Sequence, residues 1–172
     1  MTVETLPLTR LVPVDRLPAK GERVRIEASE AEREALARAF GLPAVHALVG
    51  RFELEGGGKR VGVTGTVEGR VTRTCVVTLE PFEQDVHETV EVDFAPATAP
   101  VDEAEAEARK LDPPDEIVDG KIDLGALTAE FLALGLDPYP KKPGVAFEPI
   151  VDSDAQSPFA KLKGLTTGDE KG

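Results

Sequence analysis

The chain has 172 residues, 41% of them hydrophobic but only 5% aromatic, with one cysteine, no tryptophan and a formal net charge of −12. That length holds one domain with a modest core of Val, Leu and Ala plus loose ends, and a lone cysteine excludes an internal disulfide and points to a reducing compartment. The N-terminal residues lack a signal-peptide pattern and no apolar run approaches the ~20 residues of a membrane helix, so a soluble, cytoplasmic protein is expected, with no membrane partner.

Two short strands open the chain, "TRLVPV" (9–14) and "RVRIEA" (23–28), with a Pro- and Gly-containing turn between them. "SEAEREALARAFG" (29–41) reads as a helix. Ser29 is placed to accept from the free first-turn amides, Glu32 completes a capping box three residues on, and Gly41 closes the C-terminus. Ala31, Ala35, Leu36, Ala39 and Phe40 fall on one side at helical spacing. Strands are predicted at 45–55, 59–68, 70–79 and 84–95, with "EGGGK", "EGR" and "LEPFE" as their turns. Successive strands with short turns make an antiparallel meander, either open or curled toward a barrel.

The stretch "VTRTCVVTLEPFEQDVHETVEVDF" (71–94) shows the alternation of such a hairpin. Val71, Arg73, Cys75, Val77 and Leu79 share one face, as do Val86, Val90, Val92 and Phe94. Residues 96–115 combine low hydrophobicity, four prolines and strong negative charge, which predicts a mobile loop. "EIVDGKIDL" then gives a strand and turn, and "DLGALTAEFLALGL" a second helix capped by Asp123, with Leu124, Leu127, Phe131 and Leu134 on one stripe. Pro138 and Pro140 end it. From about residue 150 the chain is polar and a disordered tail (150–172) is expected. The fold class is α+β: one domain over 1–149, a mainly antiparallel sheet and two packed helices.

Candidate chemistry is sparse. His46 shares parity with Leu48, Phe52 and Leu54, which predicts a satisfied, partly buried histidine, whereas His87 on an acidic face is predicted to be solvated. Two histidines and one cysteine do not furnish a four-ligand zinc site, so no metal is expected. Cys75, on an apolar face, lacks the electropositive, exposed setting that lowers a thiol pKa. "EGGGKR" lacks the Gly-Lys-Ser/Thr ending of a phosphate loop and leads into a strand, so it reads as a turn. Asp112 and Asp115 lie in a Pro-rich segment unsuited to holding two carboxylates at fixed spacing. No catalytic residue, cofactor or small-molecule substrate is predicted. The competing reading is a small cytoplasmic enzyme using Cys75 or an acidic pair.

The order of the pieces carries more than any single residue. "TRTCVVTLEPFEQDVHETVEVDF", an acidic loop and "DGKIDLGALTAEFLALGLDPYPKKPG" together resemble the YceD family, the large ribosomal RNA subunit accumulation proteins. The resemblance spans roughly 20–147 and is most specific over 71–94 and 116–144. Many relatives read Cys-x-Arg-Cys-Leu-x-Pro in the first motif; here Cys75, Leu79 and Pro81 are kept, while Val77 and Thr78 replace the Arg and second Cys. Ile122, Asp123 and Leu124 through Pro138 and Pro140 keep the second motif, and Lys141, Lys142 and Pro143 stand where some relatives place a further cysteine pair. The resemblance implies a ribosome-biogenesis role in synthesis, processing or stability of large-subunit ribosomal RNA. It implies as partner a large-subunit RNA precursor or a ribosomal protein, and it transfers no catalytic residues.

Charge is unevenly spread. Residues 1–75 hold 12 Lys and Arg against 10 Asp and Glu, residues 76–140 hold 3 against 17, and residues 141–172 hold 5 of each. Cations for RNA contact are therefore sought mainly outside the middle segment. Arg23, Arg25, Arg51, Lys59, Arg60, Arg70 and Arg73 are the strand candidates, and ordinary edge protection competes with RNA contact as their explanation. Tyr139 beside Lys141 and Lys142 offers a second contact, with a ring that can stack on an unpaired base.

Overall fold

The computed structural model describes residues 6–57, 60–97 and 114–146. Most of the expected mobile loop and the expected tail fall outside them. Strands β1 (Leu11–Pro13), β2 (Glu22–Glu27), β3 (Ala44–Gly57), β4 (Arg60–Thr74), β5 (Pro81–Ala95), β6 (Asp115–Glu116) and β7 (Lys121–Asp123) accompany helices α1 (Glu30–Ala39) and α2 (Leu124–Leu134). β2 to β6 form one sheet in chain order, and β1 pairs β7 in a separate antiparallel ribbon. The first four strands of the sheet are antiparallel neighbours; β6 joins parallel to β5, with Phe94 opposite Asp115. β2 and β6 are its edges, so the sheet is open and the class is α+β as expected.

Alternation builds the core. Leu48, Phe52 and Leu54 of β3, Val61, Val63, Val67 and Val71 of β4, and Val86, Val90 and Phe94 of β5 are buried on one face. α2 covers that face with Leu124, Leu127 and Leu132, and α1 adds Leu36 and Ala37. Each helix begins as its sequence dictates. The Ser29 hydroxyl accepts from Glu32 N–H at 3.4 Å while the Ser29 N–H donates to the Glu32 carboxylate at 2.8 Å. Asp123 Oδ1 accepts from the N–H groups of Gly125 and Ala126 at 3.0 and 3.1 Å. Arg10 joins the two helix starts. Its guanidinium donates to both Glu32 oxygens at 2.7 and 3.0 Å, and its backbone N–H donates to Asp123 Oδ1 at 2.7 Å.

Several expectations need correction. "EGR" is not a turn: Glu68, Gly69 and Arg70 lie inside the unbroken β4 and pair with strands on both sides. Gly69 is there for close approach, since a Cβ would stand 2.9 Å from Leu132 Cδ1 of α2. β4 ends at Thr74, so Val77 and Leu79 do not continue the apolar face. Leu79 instead sits in the following turn at φ 59°, 76% exposed. His46 is exposed rather than partly buried, because a register shift between Val45 and Ala47 breaks its parity with Leu48. Leu134, at the end of α2, is exposed, and Leu136 packs on the core instead. In α1, Ala31 and Ala39 also face solvent; the buried positions are Leu36 and Ala37.

Candidate functional site

The outer face of the sheet carries five of the seven strand cations predicted from the sequence. Side chains alternate along each strand, so Arg23 and Arg25 of β2, Arg51 of β3, and Arg60 and Arg70 of β4 share this face. Each of the five is paired with a carboxylate. Arg23 meets Glu53 at 3.3 Å, Arg25 meets Glu27 at 2.9 Å, Arg60 meets Asp93 at 2.7 Å and Arg70 meets Asp85 at 2.8 Å. Arg51 donates to Glu68, whose carboxyl is held below its ordinary pKa first by that hydrogen bond. The Arg70 guanidinium is pushed up by its bond to Asp85 and by the charges of Asp85 and Glu83. Glu55, Glu83 and Glu91 have no arginine partner among the described residues, so this face is net acidic. His87, exposed as expected, stands 3.6 Å from Glu68.

Two predicted cations do not join this array. Arg73 points to the inner face, is 9% exposed, and donates to the Asp137 carbonyl at 2.6 Å. It fastens the chain after α2 to the end of β4 and is not a surface cation. Lys59 lies outside the described residues.

Tyr139, Lys141 and Lys142 gather at the far end of β4. Val76 N–H donates to the Pro140 carbonyl at 2.9 Å, which brings the chain after α2 against the turn at 75–80. Tyr139 is 70% exposed and Lys141 is exposed, while Lys142 is committed to Glu80 at 3.0 Å. Cys75 is buried beneath this junction as expected, but its thiol is not ordinary. Its sulfur accepts the Lys142 N–H at 3.4 Å, and that bond, with further ones from the Thr78 hydroxyl, the Thr78 N–H and the Val77 N–H, lowers the pKa to about 6. Neutral backbone donors thus replace the positive charge that sequence reasoning required. Neither histidine is engaged with the sulfur: His46 bonds the Thr72 hydroxyl at 2.7 Å and His87 stands 3.6 Å from Glu68. Among the described residues no cluster of three or more His, Cys, Asp and Glu side chains is placed to hold a metal.

Sequence reasoning missed a groove of about 490 Å³ between the β6–β7 turn and the start of α2. Leu11, Phe94, Val118 and Leu127 line it, with Asp115, Glu116, Asp119 and Glu130 around them. Its walls come from residues over a hundred positions apart, and no local pattern announces it. The Glu130 carboxyl is pushed above its usual pKa by burial and by Asp115 and Asp123.

A model of the family described as large ribosomal RNA subunit accumulation protein YceD matches residues 63–166, more than half of the chain. The chain belongs to the YceD family. The match begins within β4, later than the resemblance beginning near residue 20, and runs on past residue 147 to 166. The YceD description ties the protein to accumulation of large-subunit ribosomal RNA. No curated protein and no solved structure matches the chain. No helix among the described residues is long and apolar enough to cross a membrane.

Proposed function

We propose that this YceD-family chain supports large-subunit ribosomal RNA as a non-enzymatic cytoplasmic assembly factor, by binding a basic ribosomal protein. One observation carries the reading: the outer sheet face answers every arginine it displays with a carboxylate and keeps further carboxylates in excess. RNA approaching this face must break intramolecular ion pairs and meet net repulsion. A lysine- and arginine-rich protein segment meets attraction, which speeds encounter and disfavours nucleic acid. Glu83 and Glu91 of β5, which have no arginine partner among the described residues, are the contacts assigned to it.

A second reading, direct contact with unpaired RNA, is favoured by Tyr139, whose exposed ring stands beside Lys141. The two readings separate in a binding assay with RNA-free ribosomal proteins and with large-subunit precursor RNA. Glu83→Lys with Glu91→Lys should weaken protein binding and leave RNA binding equal or tighter. Weakened RNA binding in Tyr139→Ala with Lys141→Gln, and unaltered protein binding in the β5 variant, would favour the second reading.

A further inference from the structure

The groove beside α2 has a composition that specifies an occupant. Leu11 and Val118 present large apolar side chains that are 56% and 60% exposed, over a floor formed by Phe94 and Leu127. Five carboxylates line that apolar strip against the single cation Lys121; Asp123 is taken up in capping α2, which leaves Asp115, Glu116, Asp119 and Glu130 as the rim. An uncharged small molecule would leave those carboxylates crowded and unanswered, and a nucleic acid would be repelled. An acidic rim around an apolar floor is complementary to a chain that alternates apolar and cationic side chains. β6 adds a second feature. Among the described residues it is an edge strand, paired on one side, and an unpaired edge is a template for an extended peptide.

We propose that this groove docks an extended lysine- or arginine-rich segment of a protein partner, seating its large apolar side chains between Leu11 and Val118 and its cations on the carboxylate rim. The inference rests on the reading that the partner is a basic protein, and it names where that partner is anchored. Burial first, and then the charges of Asp115 and Asp123, push the Glu130 carboxyl up, and an arriving cation would relieve the second of these.

The test uses the full chain and three short synthetic peptides: one alternating lysine with leucine, one with serine for leucine, and one with glutamate for lysine. At physiological salt the lysine–leucine peptide should bind best and the glutamate peptide not at all. Leu11→Ser with Val118→Ser, both at exposed positions, should weaken the lysine–leucine peptide by about tenfold, equivalent to about 1.4 kcal/mol, and leave the lysine–serine peptide unchanged. Glu116→Gln with Glu130→Gln should weaken both lysine peptides. Equal binding of the leucine and serine peptides, or no effect of the groove variants, overturns the groove; the wider reading then survives if ribosomal proteins still bind and the β5 charge reversals abolish it. Failure of ribosomal proteins and peptides alike removes both.

Two other occupants are separated in the same experiment. The chain's own residues 158–165, "PFAKLKGL", share the required chemistry. Tighter peptide binding by Lys161→Glu with Lys163→Glu would make that segment the occupant and overturn the partner assignment. Self-association abolished by the Leu11 and Val118 substitutions would assign the groove to a second copy, with the same consequence.

Discussion

Replacing Glu32 with glutamine should remove a pH-dependent share of the stability that Arg10 provides. Glu32 stands in the first turn of α1, closes the capping box and receives both guanidinium nitrogens of Arg10. The Arg10 hydrogen bond, opposed by burial and aided by Ser29, brings its carboxyl down to about 2 from 4.5. A shift of that size corresponds to roughly 3 kcal/mol at ~1.4 kcal/mol per unit. The Arg10 side chain is 39% exposed, so solvent screening reduces the expected effect to about 1–2 kcal/mol. The folded-state pKa is depressed, so the contribution is complete above the unfolded value near 4.5 and is lost as pH falls toward 2. Urea unfolding of both proteins at a series of pH values measures it. The stability difference between wild type and Glu32→Gln should be about 1–2 kcal/mol at neutral pH and shrink progressively below pH 4.5. A difference that is constant down to pH 2, or absent at pH 7, would refute the role of the charge pair.

Three further outcomes are expected. Leu132→Ala should cost about 2–5 kcal/mol as a buried cavity, and Gly69→Ala about 1–3 kcal/mol by overpacking against Leu132; denaturant unfolding of the double variant should show the second cost reduced, because the obstructing side chain is gone. Leu79→Gly should raise stability by up to about 1 kcal/mol in the same assay, since a leucine at φ 59° carries left-handed strain and buries little in return. The Cys75 thiolate absorbance should titrate near 6 rather than near 9.0, and because the folded pKa is depressed, Cys75→Ala should be more destabilising above pH 9 than at pH 5.

Local chemistry was legible and long-range geometry was not. The Ser29–Glu32 box, the Asp123 cap and the alternation of β5 are set by neighbouring residues, and the structure has them as read. Gly69 resembled a turn because a strand glycine and a turn glycine look alike until the helix that crowds it is known. The bulge that exposes His46 depends on how β3 meets β4 and leaves no mark at residues 44–47. The candidate cations were found, but their neutralisation depends on register: Arg70 opposite Asp85 and Arg60 diagonal to Asp93 follow only once β4 is one strand. Arg73 shared parity with Val71 throughout, and that parity already placed it on the apolar face where Asp137 holds it.

The most direct measurement is crosslinking of the full chain within assembling large-subunit particles, read out separately for protein and for RNA after nuclease treatment. A basic ribosomal protein should be the dominant crosslinked species, should persist after nuclease, and should be lost with Glu83→Lys and Glu91→Lys. Crosslinks confined to ribosomal RNA would contradict the account. So would a log–log salt slope for RNA binding that flattens by ~0.7 per cation when Lys59, Arg60 and Arg70 become glutamine.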